Sequence, residues 1–187
     1  MNLVYIATIC SQVVRWGLLN WIIKILTTSV SLGGYGMTLR LATTIAACMH
    51  IGGMIFSILL GYVSDKIFKG FRWQTILFGF SLSFFALLIL YFMSSSINLL
   101  LLSILLFIVG GCIQGLQAPL FNLPGDILGT RLGATGVGIS CGWSYIGASL
   151  SGVAFGWFLD NHGFRNGLLL MAIVSLLGAI TISQVKK

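Results

Sequence analysis

Residues 73–125 read WQTILFGFSLSFFALLILYFMSSSINLLLLSILLFIVGGCIQGLQAPLFNLPG, 53 consecutive positions without a charged side chain, bounded by Arg72 and Asp126. A helix crosses the hydrocarbon core of a bilayer with about 20 apolar residues. The stretch therefore holds two such helices, and the polar cluster Ser94, Ser95, Ser96 and Asn98 divides them. Lipid admits only helices and closed barrels, because each backbone N–H and C=O must find a partner inside the protein. Barrel strands alternate and give a much weaker hydropathy signal than this.

The rest of the chain follows the same plan. Of its 187 residues 58% are hydrophobic and 7% charged, and the mean hydropathy is +1.06. Soluble domains carry about 25% charged residues. A water-soluble enzyme does not have this composition, and disorder is excluded by the apolar excess. Ten basic residues against three acidic ones give a formal charge of +7, but they are too scattered to make the dense face that nucleic acid requires. Further uncharged gaps of 24, 28 and 20 residues separate Arg40 from Asp65, Arg131 from Asp160 and Arg165 from Lys186. Each holds one helix. The first segment is apolar but contains Arg15 and Lys24. It lacks the basic start of a signal peptide, and Arg15 would interrupt the apolar region of one, so it reads as a span.

The expectation is an all-α membrane protein, one domain over 1–187, with six transmembrane helices at about 3–27, 39–63, 74–93, 99–121, 136–158 and 166–183. The first three and last three helices could be inverted copies of each other, a 3+3 inverted repeat as in many transporters. Six spans place both termini on one side. The loops of that side hold Lys66, Lys69, Arg72, Arg131, Lys186 and Lys187, whereas the other side holds Arg40 and Arg165, with Lys24 at its edge. Basic loops stay in the cytoplasm, so both termini are expected there. Cys10, Cys48, Cys112 and Cys141 all fall in expected spans and read as small apolar fillers. No spacing suggests a metal site, and no cofactor is implied.

Arg15 carries the most information. It lies near the middle of the first span, where an arginine is costly and faces a cavity, a partner or a substrate. A guanidinium fork suits phosphate or carboxylate. The competing explanations are an ion pair with a helix outside this chain, or snorkelling to the interface. Trp16, Asn20 and Trp21 surround it, and Lys24 is either a second cationic ligand or an interfacial anchor. In the fourth span Gln114, Gln117, Asn122, Pro119 and Pro124 suggest a bent helix lining a polar path, or else an interface held by amides. Asp126 and Arg131 follow as loop or gate charges. The fifth span is rich in glycine, and its Gly138–Gly142 and Gly152–Gly156 pairs suit close helix packing; Trp143 and Tyr145 could reach a cavity. His50 and His162 stand alone, and a proton-coupling role is one reading of His50.

The segment Gly61-Tyr-Val-Ser-Asp65-Lys66 with Lys69, Gly70 and Arg72 resembles the loop signature of the major facilitator superfamily. There Gly61 would permit close helix contact and the charges would serve the conformational change. The match is closer to its organophosphate:phosphate antiporters, which carry glycerol 3-phosphate or hexose phosphate. It covers essentially the whole chain and places it as the C-terminal half of such a protein. Val14-Arg15-Trp16-Gly17 with Asn20-Trp21 resembles that family's seventh helix, where the arginine is one of two that hold the substrate phosphate. Gly133-Ala-Thr-Gly136-Val-Gly138 and Phe155-Gly156 with Asp160 and Gly163 resemble its eleventh helix and the turn after it. Asp126 falls where the family often has a glutamate, and Asn20 replaces an aspartate.

The resemblance implies exchange of a phosphorylated small molecule for inorganic phosphate across a bacterial cytoplasmic membrane, with no bond chemistry and no enzyme activity. Arg15, Trp16, Asn20, Lys24, Gln114, Gln117 and Tyr145 would contact substrate. Gly61, Asp65, Lys66, Lys69, Arg72, Asp126 and Arg131 would serve gating. The partner would be an N-terminal six-helix half in another chain, or a second copy. A hexose-phosphate sensor and a truncated remnant are the alternatives.

Overall fold

The computed structural model describes residues 1–93 and 98–185. Ser94, Ser95 and Ser96, expected to divide two spans, and Lys186 and Lys187, expected on the cytoplasmic side, lie outside the described residues. Among those described, the helices are α1 (Asn2–Thr27), α2 (Leu39–Tyr62), α3 (Arg72–Phe92), α4 (Leu99–Gly115), α5 (Gln117–His162) and α6 (Phe164–Ser183). Asn98 caps α4, its side chain accepting from the Leu100 N–H at 2.9 Å, which satisfies one of the free donors of a helix start.

Five stretches are both long and apolar enough to cross a membrane: Asn2–Thr27, Leu39–Ile67, Arg72–Phe92, Leu99–Gly129 and Phe164–Ser183. The remainder of α5, 130–162, has the length, but its glycines and serines dilute its hydropathy. The chain is an integral, multi-pass membrane protein.

Two expected loops are helical instead. The sequence predicts a loop carrying Asp126 and Arg131 between spans at 99–121 and 136–158. In the structure α4 passes through Leu116 into α5, and helix continues past both charges, interrupted at Gly129 alone (φ 71°, ψ −174°). The chain doubles back there. A Cβ on Gly133 would lie 3.2 Å from Gly125 Cα, and one on Gly136 would lie 3.3 Å from Pro124 Cβ. The two arms of α5 thus form a tight hairpin on a single residue whose positive φ only glycine adopts freely. Pro119 and Pro124 both lie within α5, and the non-helical angles fall at Gly129 and not at either proline. Similarly, α2 runs on through a wider π-turn, Val63–Ile67, so Asp65 and Lys66 ride on helix. Lys69 (φ 50°) and Gly70 (φ 83°) then turn the chain into α3.

Helices pack through glycine. A Cβ on Gly52 would meet the Phe107 carbonyl oxygen at 2.1 Å, and one on Gly110 the Met49 carbonyl oxygen at 2.3 Å. Backbones of α2 and α4 therefore touch, the close approach that membrane helices use in place of a hydrophobic drive. The second arm of α5 lies along α1 in the same direction: Tyr5 stacks on Trp143 (6.4 Å), Gly147 meets Ile9, and Trp21 Nε1 donates to the Ser151 carbonyl at 3.1 Å. α3 runs against α6, where Ser175 Oγ donates to the Phe80 carbonyl at 3.0 Å. α1 also packs on α6, and α3 on α4.

Two expectations about glycine are corrected. Gly61 was expected to permit a helix contact, yet nothing lies within 4 Å of a Cβ placed there; the same is true of Gly138, Gly142 and Gly152 in α5. Those glycines face away from this chain, whereas Gly147 and Gly156 are the ones that receive α1.

Candidate functional site

The two ends of the bundle and its middle are chemically distinct. At one end Arg72 donates from Nε to the Asp126 carboxylate, joining the start of α3 to the first arm of α5. Asp65, Lys66, Lys69 and Arg131 are exposed at that end. At the other end Lys24 Nζ lies 3.4 Å from Asp160 and 4.9 Å from the Trp21 ring centroid. Arg165 there donates from Nε to the Tyr91 carbonyl at 3.0 Å, and Tyr35 donates to the Leu90 carbonyl at 3.3 Å. Burial pushes the Tyr35 phenol above its ordinary pKa, against a lowering pull from Arg165.

Arg15 occupies the middle. It is 13 residues past the start of α1, about 20 Å along the helix. Ser11, Gln12, Leu18 and Ile22, on the same side of α1, are buried, so the α1 backbone is fixed and Arg15 is half-buried among them. Its Nε is buried and has no hydrogen-bond partner. The guanidinium lies 5.4 Å from the ring centroid of Trp16, which is itself exposed. Behind it is a cavity of about 10 Å³ lined by Leu18, Leu19, Met49, Gly110, Ile113 and Gln114, too small to hold more than a single water. No carboxylate answers this charge. The chain has three acidic residues; Asp126 and Asp160 are engaged at opposite ends, and Asp65 stands exposed at the basic end. A half-buried guanidinium without an anion is costly in a membrane, and its chemistry is complementary to an anion.

The amides expected to line the path differ in their duties. Gln114 shares the Arg15 cavity and donates to the Met49 carbonyl at 3.4 Å. Gln117 is fully committed: its Oε1 accepts from Gln12 at 3.1 Å, and its Nε2 donates to Ser11 Oγ and to the Ile113 carbonyl, each at 3.1 Å. That network ties α1 to the hairpin one turn from Arg15. Sequence reasoning passed over Ser11 and Gln12, although an amide three residues before a mid-span arginine is a usable signal. Asn20 and Lys24 lie exposed further along α1, Lys24 drawn to Asp160. Tyr145 is 75% exposed on α5 and is not brought against Arg15 by any described contact. The residues assembled with Arg15 are thus Trp16 and Gln114, with Gln117 supporting them.

A family model described as "Major Facilitator Superfamily" matches residues 4–185. Among curated proteins, the chain is 29% identical over 165 residues to "Benzoate transport protein" of Acinetobacter baylyi, covering 87% of this chain and 33% of that protein. It is 30% identical over 132 residues to "Probable hexose phosphate transport protein" of Chlamydia pneumoniae, covering 68% of this chain and 29% of that one. The chain therefore spans about a third of the length of these relatives. Among solved structures, a POT peptide transporter crystallised with sulfate superposes with a TM-score of 0.83 at 18% identity, over 98% of this chain and 37% of that one. At that identity the likeness concerns the fold.

Proposed function

The chain belongs to the Major Facilitator Superfamily, and from that membership we propose that it forms one half of a membrane transporter for small organic anions, a phosphorylated sugar or related organophosphate exchanged for inorganic phosphate. The superfamily consists of transporters and not enzymes. The observation that carries the reading is Arg15, a mid-span guanidinium with no acid to meet in this chain. The hexose-phosphate relative supports phosphate as the anion. The benzoate relative, together with the exposed Trp16 beside Arg15, supports a second reading, an aromatic carboxylate held by the same fork and stacked on the indole.

The half-transporter reading has structural support in the pairing of helices. With the hairpin arms counted as the fourth and fifth spans, the first span packs on the fifth and the fourth on the second. The first also packs on the sixth, and the fourth on the third. Exchanging the first three spans with the last three leaves this pattern unchanged, as an inverted repeat requires. The second half, in a separate chain or a second copy, would cover the exposed Trp16, with both termini in the cytoplasm by the distribution of basic residues. Exchange follows from the charge: an empty site leaves Arg15 unpaired, which disfavours return without cargo.

The isolated chain carries one side of the site, so binding rather than flux tests it. In lipid nanodiscs, glucose 6-phosphate, inorganic phosphate and benzoate are titrated against tryptophan fluorescence, with Trp16→Phe identifying the responding indole. The expected result is a Trp16 response to an anion but not to glucose, weakened at least about tenfold by Arg15→Gln, as loss of a charge-assisted hydrogen bond implies. An equal response in Arg15→Gln overturns the reading. Which anion acts decides between phosphate and carboxylate.

A further inference from the structure

We propose that His50 is a second substrate contact of the Arg15 site, supplying from α2 a hydrogen bond to the bound anion; this rests on the anion-binding reading above. His50 is 12 residues before the end of α2 at Tyr62, about 18 Å along the helix. Because α2 runs against α1, that places it at the level of Arg15. The shared cavity of Arg15 and the adjacent Met49 fixes the same level independently.

The side of α2 on which His50 lies follows from its neighbours. Ala46 and Gly53, one turn before and after, are buried, whereas Ala47 and Met54 are exposed. His50 thus stands on the border of the packed face. Of the two adjacent glycines, Gly52 faces Phe107, while a Cβ on Gly53 would lie 2.5 Å from the Gln114 amide. Successive residues rotate by about 100°, so the border that holds His50 is the one on the Gln114 side. Gln114 is also the residue that shares the Arg15 cavity.

The chemistry of that border sets His50 apart. Thr43 and Ser57, seven residues away on either side, lie on the same line of the helix. Thr43 Oγ1 donates to the Leu39 carbonyl at 3.0 Å, and Ser57 Oγ to the Met54 carbonyl at 2.8 Å. Their hydroxyls are satisfied by their own helix. The exposed imidazole of His50 makes no hydrogen bond or ion pair among the described residues. Hydrocarbon does not tolerate an unanswered polar group at this depth. Water and an anion entering toward Arg15 answer it, and the imidazole brings a donor at the height of the guanidinium.

The test places a cysteine at the position, His50→Cys, in a chain whose native cysteines are replaced, and measures its reaction with a charged, membrane-impermeant maleimide. Ile55→Cys, exposed and about 140° round α2 from His50, is the control. Labelling of position 50 but not 55, slowed by glucose 6-phosphate, supports the proposal. Position 50 as unreactive as 55 overturns it, because the imidazole then faces lipid or protein. Labelling that glucose 6-phosphate leaves unchanged also overturns it; the Trp16 response to the same compound then shows whether the anion reading stands without His50 or falls with it. A second measurement guards against a disrupted fold. His50→Ala is expected to weaken the Trp16 half-saturation about tenfold and His50→Gln, which keeps a donor, less than about threefold. Equal effects of the two overturn the proposal.

Discussion

A polar side chain in a membrane span has two uses, and Arg15 and Gln117 illustrate the difference. Arg15 has a buried Nε without a partner among the described residues, so part of its hydrogen-bonding capacity is unmet. Gln117 has none left, since Gln12, Ser11 and Ile113 take both ends of its amide. Substitution should separate them. Gln117→Leu leaves Gln12 and Ser11 unanswered, and a loss of about 1 kcal/mol is expected, the scale of interhelical hydrogen bonds in bilayers. It is read from thermal unfolding in a fixed detergent. Gln12→Leu combined with Gln117→Leu should recover part of that loss, because removing both amides leaves only Ser11 to be answered. Arg15→Gln is expected to leave the unfolding temperature unchanged or higher while removing the anion response. A Gln117→Leu chain that is fully stable but unresponsive to anion would reverse the roles assigned to the two residues.

At the scale of elements, glycine does two unrelated jobs that the sequence writes with one letter. Gly129 has open space around it and a positive φ, so Gly129→Ala tests backbone conformation alone. A cost of about 1–3 kcal/mol is expected for that glycine-only region, against no loss for Gly125→Ala, where a Cβ also meets nothing within 4 Å and helix favours alanine. Gly52→Ala tests packing alone, since its Cβ would strike a carbonyl oxygen. It should separate α2 from α4 at a cost of about 1–3 kcal/mol and lower the unfolding temperature accordingly. The same ambiguity explains which parts of the fold were legible. Charges are expensive in lipid, so the gaps between them located the spans and singled out Arg15. The hairpin at Gly129 was hidden, because Asp126 and Arg131 signal a membrane boundary without saying whether helix or loop crosses it. The facing of α2 and α5 was hidden as well. Lipid and protein core are equally apolar, so no amphipathic stripe marks which glycines meet a neighbour, and Gly61 and Gly138 read the same as Gly52 and Gly147.

For the whole molecule, the two ion pairs among the described residues share one property. Arg72–Asp126 and Lys24–Asp160 each join one of the first three helices to the hairpin, and they do so at opposite ends of the bundle. The middle, between them, has a cation and no acid. Charges are thus paired at the two ends of the bundle and left unpaired in the middle, where we propose that an anion binds. The Arg72–Asp126 pair borders a cavity of about 300 Å³ at the basic end, lined by Trp73, Leu123, Ile127 and Val185. The pair is partly exposed, so water and salt screen it to at most about 1 kcal/mol. Arg72→Ala should therefore loosen the basic end without unfolding the bundle. A cysteine at Leu123, otherwise buried, should react with a soluble maleimide up to about fivefold faster in Arg72→Ala than in the parent, the factor that 1 kcal/mol of lost closure gives. The exchange Arg72→Asp with Asp126→Arg should return the rate toward the parent value if attraction between the two side chains closes that end. A swapped chain that stays as reactive as Arg72→Ala would show that the packing of the arginine stem, and not its charge, keeps Leu123 from water.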